Sequence, residues 1–326
     1  MKNHKRKVLV TGAGGFIGHH LVKFLKEKNY WVRGVDIKKP EFESTLADEF
    51  LMLDLRDRKN TDTATKNIDH VYNLAANMGG IGFIETVHAE IMHDNVLINT
   101  NMLESSRINK VSRFFFSSSA CIYPRYMQRK SRVTALKEDT AYPADPDNEY
   151  GWEKLFTERL CMNYKKDYGL DVRIARFHNI YGPLGTWQGG REKSPAALCR
   201  KIALAKKEDT IEVWGDGKQT RSYCYIADCV EGIYRLMNSS VDTPLNIGSD
   251  RLISINQLIA IIAQIAGKKI SKKHDLSKPQ GVRGRNSDNT LIKRLLHWSP
   301  STPLEVGFSH TYRWINKQIQ EGKQHV

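Results

Sequence analysis

Between Lys7 and Gly18 the chain reads KVLVTGAGGFIG. A short run of β-formers leads into Gly12, Gly15 and Gly18, spaced G-x-x-G-x-x-G, and Phe16, Ile17, Leu21, Val22 and Leu25 then recur at helical spacing. Few folds require this arrangement. A strand must turn tightly, the backbone must come close to a pyrophosphate at a helix N-terminus, and the helix must pack closely on the strand. The next β-rich run, WVRGVDI, ends at Asp36, 18 residues after Gly18. A carboxylate there accepts hydrogen bonds from the adenosine ribose and repels a 2′-phosphate, so NAD is expected rather than NADP. Gly12, Gly15, Phe16, Ile17, Gly18 and Asp36 are the first candidate cofactor residues.

Strand-like runs continue at 49–55, 70–77, 113–119 and 170–182, with helical patterns at 89–109 and 149–169 between them. Strands alternating with helices predict an α/β fold with a doubly wound parallel Rossmann sheet. Asp54 would reach the adenine from the third strand end, and Ala75 would let the cofactor approach the fourth. After about residue 183 the rhythm breaks into short strands, loops and helices. Residues 1–182 are therefore expected to form the NAD-binding domain. Residues 183–326 are expected to form mainly a smaller mixed α/β substrate-binding lobe, with some segments returning to the first domain. The stretch 272–289, rich in charge, Gly and Pro, reads as a loop.

Composition narrows the class. Apolar residues make up 40% of the 326, and no run of about 18 of them occurs, so no membrane span is expected. The basic-then-apolar N-terminus reads as a strand, not a targeting segment. The five cysteines are odd in number and form no C-x-x-C pair, which points to a reducing, cytoplasmic compartment without disulfides or a zinc site. The net charge of +14 is scattered and not interleaved with aromatics. It suggests solvated faces and arginines for a phosphorylated small molecule, not nucleic acid.

Tyr150-Gly151-Trp152-Glu153-Lys154 is Y-x-x-x-K, which places Tyr150 and Lys154 on one helix face. A lysine ammonium near a phenol is expected to lower its pKa from about 10, letting it act as a base. With the glycine motif and Ser119 at a strand end, this pattern resembles the extended short-chain dehydrogenase/reductases. The strings MGGIGF (78–83), SSACIYP (118–124), RFHNIYGPLGTWQGGREKSPAA (176–197), WGDGKQTRSY (214–223), NIGSD (246–250) and GVRGRNSDN (281–289) resemble their GDP-mannose 3,5-epimerases.

The resemblance implies a soluble NAD enzyme, a homodimer in its known members, acting on GDP-mannose. Tyr150 and Ser119 would serve transient oxidation at sugar carbon 4, with Lys154 on the nicotinamide ribose. The ketone would acidify carbons 3 and 5, Cys121 and Lys193 would be the acid/base pair, and re-reduction would give GDP-L-galactose with GDP-L-gulose beside it. A nearby cation would activate the thiol, and desolvation or Arg191 would lower Lys193. Gly79 and Gly80 would make room for the sugar, and Ala120, Asn179 and Glu192 would bind substrate. Lys201, Gln219, Thr220, Arg221 and either Arg283 or Arg285 would hold diphosphate and guanosine.

Each of these residues has a plainer reading. A cysteine at a strand end is usually core filler, and a lysine beside Arg and Glu is usually solvated. His178, Cys161, Cys199, Cys224 and Cys229 are expected only to pack, and the outer face of the Tyr150 helix, with Trp152, is expected at a dimer interface. The rival chemistries are a nucleotide-sugar 4-epimerase and a 4,6-dehydratase, and the non-enzymatic rival is an NAD-binding redox sensor. A dehydratase needs an Asp-Glu pair where Ala120-Cys121 stands. The plant members carry an extra segment before the glycine motif, and the C-terminal stretch 310–326 fits them only loosely.

Overall fold

The structure, a computed structural model, describes residues 5–322. The first four residues of the basic N-terminus, and the last four of the loosely matching C-terminal stretch, lie outside the described residues. The first half alternates strand and helix: β1 (Lys7–Thr11), α1 (Phe16–Glu27), β2 (Trp31–Asp36), β3 (Glu49–Met52), α2 (Arg58–Thr65), β4 (His70–Asn73), α3 (Ile81–Ile84), α4 (Ala89–Ile108), β5 (Arg113–Ser119), α5 (Glu149–Tyr168), β6 (Asp171–Phe177) and β7 (Ile180–Tyr181). The second half adds α6 (Ser194–Leu204), β8 (Glu208–Trp214), β9 (Thr220–Ser222), β10 (Cys224–Tyr225), α7 (Ile226–Met237), β11 (Leu245–Ile247), β12 (Leu252–Ser254), α8 (Ile255–Ala266), β13 (Lys269–Asp275), β14 (Gly284–Arg285), α9 (Thr290–Leu296) and α10 (Leu304–Gln320).

Seven parallel strands form the central sheet in the order β11-β6-β5-β4-β1-β2-β3. Its inner strands are apolar on both faces, as a sheet covered by helices on both sides requires. In β5, Phe115 packs toward α1 and α7, while Phe114 and Phe116 pack toward the α4 and α5 face. The strand order reverses beside β1, where β2 and β4 lie on either side, and ligand clefts open at such a point. The apolar runs read from sequence are longer than the strands. Leu53–Asp54 and Leu74–Asn77 leave the sheet early and line the cleft instead.

The lobe has its own core, built by α6, α8 and α10 around Trp187, Leu258 and Phe308. Part of the second half packs with the first: β11 pairs with β6, and α7 shares the α1 core. The expected loop at 272–289 differs from the structure. It contains most of β13, paired with β8, and all of β14, paired with β9. β13 is charged and exposed along most of its length, so no apolar alternation announced it.

Candidate active site

A cleft of about 580 Å³ runs from the glycine turn along the strand ends to the lobe, and every residue assigned to the cofactor from sequence lines it. Gly12 adopts φ +68°, and a Cβ on Gly18 would stand 2.1 Å from the Gly12 carbonyl oxygen. Asp36 closes the turn by accepting from the Gly14 amide at 2.9 Å. Burial raises its pKa, and the backbone donors of Lys38 and Gly14 oppose that rise. Asp54 is clasped by Arg56, at 2.7 Å between Nη2 and Oδ2, and this pair holds its carboxyl below the usual range. Arg56 also reaches Asp94 at 3.1 Å and lines the cleft. Sequence reasoning missed it, although its place two residues after Asp54 was a signal.

Ser119, Tyr150 and Lys154 converge in the middle of the cleft. α5 is placed by its ends: the Asn148 side chain accepts from the Gly151 amide at 2.9 Å, and Gly169 terminates the helix at φ +71°. The Tyr150 phenol lies within interacting reach of the Ser119 side chain. The phenol is not depressed by the lysine, as the spacing suggested. Burial raises its pKa well above 10, with Glu153 and Cys121 adding to the rise and Ser119 opposing it. Lys154 Nζ lies 5.4 Å from the Tyr150 ring centroid and 4.9 Å from that of Phe116. Burial lowers the lysine's own pKa against the pull of Glu153. Its ammonium is fully buried and has no hydrogen-bond partner among the described residues.

Glu153 was also missed. Its carboxylate is fully buried, 3.9 Å from Lys154 Nζ, and accepts from Asn99 Nδ2 at 2.6 Å. Asn99 in turn accepts from Asn73, which accepts from Thr11, so a polar line crosses the sheet beneath the cleft. The signal was a carboxylate beside Lys154, on the helix that carries Tyr150.

Cys121, which is not among the cleft-lining residues, packs against Tyr150 with Met78 and Phe83. Its amide donates to Ser119 Oγ at 3.1 Å, which starts a short 3-10 turn. Arg285 crosses from β14 and donates from Nη1 to the Cys121 sulfur at 3.2 Å. Lys193 immediately precedes α6 and faces the cleft, with its surface open to solvent but deep among protein atoms. Desolvation lowers its pKa, and Cys121, within electrostatic reach, opposes the shift. Desolvation is thus the cause of the two expected, and Arg191, the other, lies 4.0 Å from the Phe83 ring centroid.

The other named positions divide. Gly79 and Asn179 line the cleft, and Asn179 Nδ2 donates to the Ser222 carbonyl at 2.8 Å. The room at Gly80 is filled by protein: a Cβ there would stand 2.3 Å from the Glu192 carbonyl oxygen. Ala120 packs inward with Ile122, Tyr123 and Leu155. Glu192 holds its own loop, accepting from Arg200 at 2.9 Å and the Gly190 amide at 2.7 Å. Lys201 donates to the Glu212 carbonyl at 2.8 Å, Gln219 to the Trp214 carbonyl at 3.1 Å, and Thr220 to that of Ser131.

The arginines separate clearly. Arg283 is paired with Asp216 through both nitrogens of its fork, at 2.8 and 2.9 Å. Arg221 reaches only carbonyls, of Thr220 at 2.8 Å and Gln280 at 3.4 Å. Burial, and then the charge of Arg285, push its pKa down to about 10. His178 is buried, bonded to Asn246 at 2.9 Å and lowered to about 3 by burial. Cys161, Cys199, Cys224 and Cys229 are buried, and Cys121 is partly accessible.

Residues 8–248 match the sequence model of the NAD dependent epimerase/dehydratase family. The chain is 50% identical over 319 residues to the GDP-mannose 3,5-epimerase of Arabidopsis thaliana, covering 97% of this chain and 84% of that protein. It is 50% identical over 323 residues to GDP-mannose 3,5-epimerase 1 of Oryza sativa subsp. indica, covering 98% and 84%. A UDP-glucose 4-epimerase structure with UDP-glucose from Thermotoga maritima is similar at TM-score 0.85 and 27% identity, covering 96% and 99% of the two chains. A UDP-glucuronic acid 4-epimerase from Bacillus cereus, in complex with UDP-glucuronic acid and NAD, is similar at TM-score 0.81 and 28% identity, covering 96% and 99%. The chain belongs to the NAD dependent epimerase/dehydratase family and resembles its GDP-mannose 3,5-epimerases over nearly its whole length.

Proposed function

We propose that this protein converts GDP-mannose to GDP-L-galactose and GDP-L-gulose by epimerisation at sugar carbons 3 and 5, with NAD retained through the cycle. One observation supports this reading beyond the family: Lys193 lines the cleft with Ser119 and Tyr150, and Cys121, packed against Tyr150, lies within its electrostatic reach.

The residues fit the cofactor. The glycine turn leaves no space for side chains where a pyrophosphate would approach, and Asp36 retains lone pairs for ribose hydroxyls. The Lys154 ammonium, without a hydrogen-bond partner among the described residues, is placed for the second ribose. When bound, the nicotinamide ring supplies a reversible two-electron acceptor for the carbon 4 hydrogen and a positive charge that favours the Tyr150 phenolate. Tyr150 takes the carbon 4 hydroxyl proton, and Ser119 shares the hydrogen bond to that oxygen. The carbon 4 ketone makes the neighbouring carbon-bound hydrogens acidic. Cys121 and Lys193 then take a proton from one face and return one to the other. Desolvation suits Lys193 to this exchange, because it lets the amine give up a proton more readily than a free lysine. Tyr150 finally returns its proton to the carbon 4 oxygen.

Arg221, which has no carboxylate partner among the described residues, is the strongest diphosphate candidate, while Arg283 and Arg285 are engaged elsewhere. Residues 1–182 act as the cofactor domain, and 183–326 mainly as the substrate lobe. Trp152 and Phe156, both exposed on α5, support a homodimer through that face. Free thiols support a cytoplasmic location, and among the described residues no helix is long and apolar enough to cross a membrane.

The test is product analysis. Incubation with GDP-mannose followed by mild acid hydrolysis should yield L-galactose and L-gulose. The 4-epimerase reading, favoured by the solved neighbours, requires D-talose instead.

A further inference from the structure

Each side-chain nitrogen of Arg285 has a partner. Nε donates to Gln128 Oε1 at 2.6 Å, Nη1 to Cys121 Sγ at 3.2 Å, and Nη2 to Asp147 Oδ1 at 3.0 Å. The group is enclosed: the Arg285 side chain is 8% exposed and that of Asp147 11%. Gln128 is buried and donates in turn to the Tyr123 and Pro124 carbonyls. Asp147 directly precedes the helix cap that sets Tyr150. This segment also presses on the cysteine's own backbone, since a Cβ on Gly151 would stand 2.3 Å from the Cys121 carbonyl oxygen.

We propose that Asp147 is a positioning residue for the acid/base thiol: it holds the Arg285 guanidinium against the Cys121 sulfur and shares its charge. The proposal rests on the reading of Cys121 as an acid/base group. The charges facing the sulfur explain why an anion is needed. Arg285 comes from β14, Arg221 from β9, Lys193 from the start of α6, and Lys154 and Tyr150 from α5. Four of these five are cations. Beyond Asp147 stands Glu85 at the end of α3, whose pKa burial raises, with Asp147 adding to the rise and His88 opposing it.

A thiol surrounded only by cations would ionise easily, but its anion would be a weak base toward carbon-bound hydrogen, because proton-transfer efficiency follows basicity. Asp147 draws one edge of the guanidinium away. It leaves Nη1 aimed at the sulfur while cancelling much of the charge behind it. Buried in this way, a carboxylate has more effect than it would at the surface.

The experiment separates charge from shape. Asp147→Asn keeps an oxygen to accept from Nη2 and removes the charge. Alkylation of Cys121 by iodoacetamide is followed against pH by peptide mapping; the other four cysteines are buried. The midpoint should fall by about half a unit to one unit in Asp147→Asn, because one anion fewer faces the sulfur. Asp147→Glu should restore the original midpoint. Above the midpoint, where the thiolate is fully formed, deuterium uptake at sugar carbons 3 and 5 in Asp147→Asn should fall about two- to threefold in kcat with little change in KM. An unmoved or raised midpoint in Asp147→Asn overturns the proposal whatever the enzyme's reaction. Normal deuterium uptake by Cys121→Ala would instead overturn the acid/base reading beneath it.

Discussion

The Gly80 amide donates to the Arg191 carbonyl at 3.0 Å, tying the loop that carries Lys193 to the segment after β4. The contact is tight on both sides, because the Glu192 carbonyl fills the space a Gly80 side chain would need, and Arg191 lies over Phe83. Gly80 therefore positions the loop of Lys193, the proposed acid/base group, without itself lining the cleft. Gly80→Ala should displace Lys193 and lower kcat about 100-fold, the cost of a displacement of about an ångström at a reacting centre. NAD content should be unchanged, since Gly80 does not line the cleft. Steady-state kinetics and release of cofactor on denaturation check both parts.

Asp36 should govern which cofactor is kept. The wild-type protein should release NAD and not NADP when denatured. Asp36→Ala removes both the ribose acceptor and the partner of the Gly14 amide. It should weaken NAD binding about tenfold or more and narrow the preference over NADP. Titration of cofactor-stripped protein with each dinucleotide measures the two affinities.

Three histidines should make stability depend on pH. Burial lowers His178 to about 3, and His20 and His70 each to about 4. Unfolding returns each to about 6.5. Between those values the unfolded state binds more protons, so stability is full above about pH 6.5 and declines as pH falls toward the folded values. For His178 alone the loss from pH 7 to pH 5 should be about 2 kcal/mol. Urea unfolding at the two pH values measures it. A His178→Gln variant should show a smaller loss between them.

The cofactor half of the cleft was legible because its chemistry is local. The glycine turn, Asp36 and Y-x-x-x-K each fall within one turn or one strand-helix unit, where spacing fixes geometry. The sugar end was legible only in its membership. Cys121 and Arg285 are 164 residues apart, and no periodicity joins them. Whether Arg283 or Arg285 was free could not be read, since Asp216 and Asp147 become their partners only when the lobe folds. Burial misled in the same way. Lys154 sits at the expected distance along the helix from Tyr150, yet full enclosure raises the phenol and lowers the amine. The strands at 269–275 and 284–285 were hidden because strand pairing, not an apolar face, holds them.

The central claim is that Cys121 and Lys193 exchange protons with sugar carbons 3 and 5. The direct measurement is NMR of GDP-hexose incubated with the protein in heavy water. Wild type should place deuterium at both carbons. Cys121→Ala and Lys193→Ala should bind NAD normally and place none, or slow uptake at least 100-fold. Wild-type protein that changes the sugar only at carbon 4, with no deuterium at carbons 3 and 5, would contradict the account.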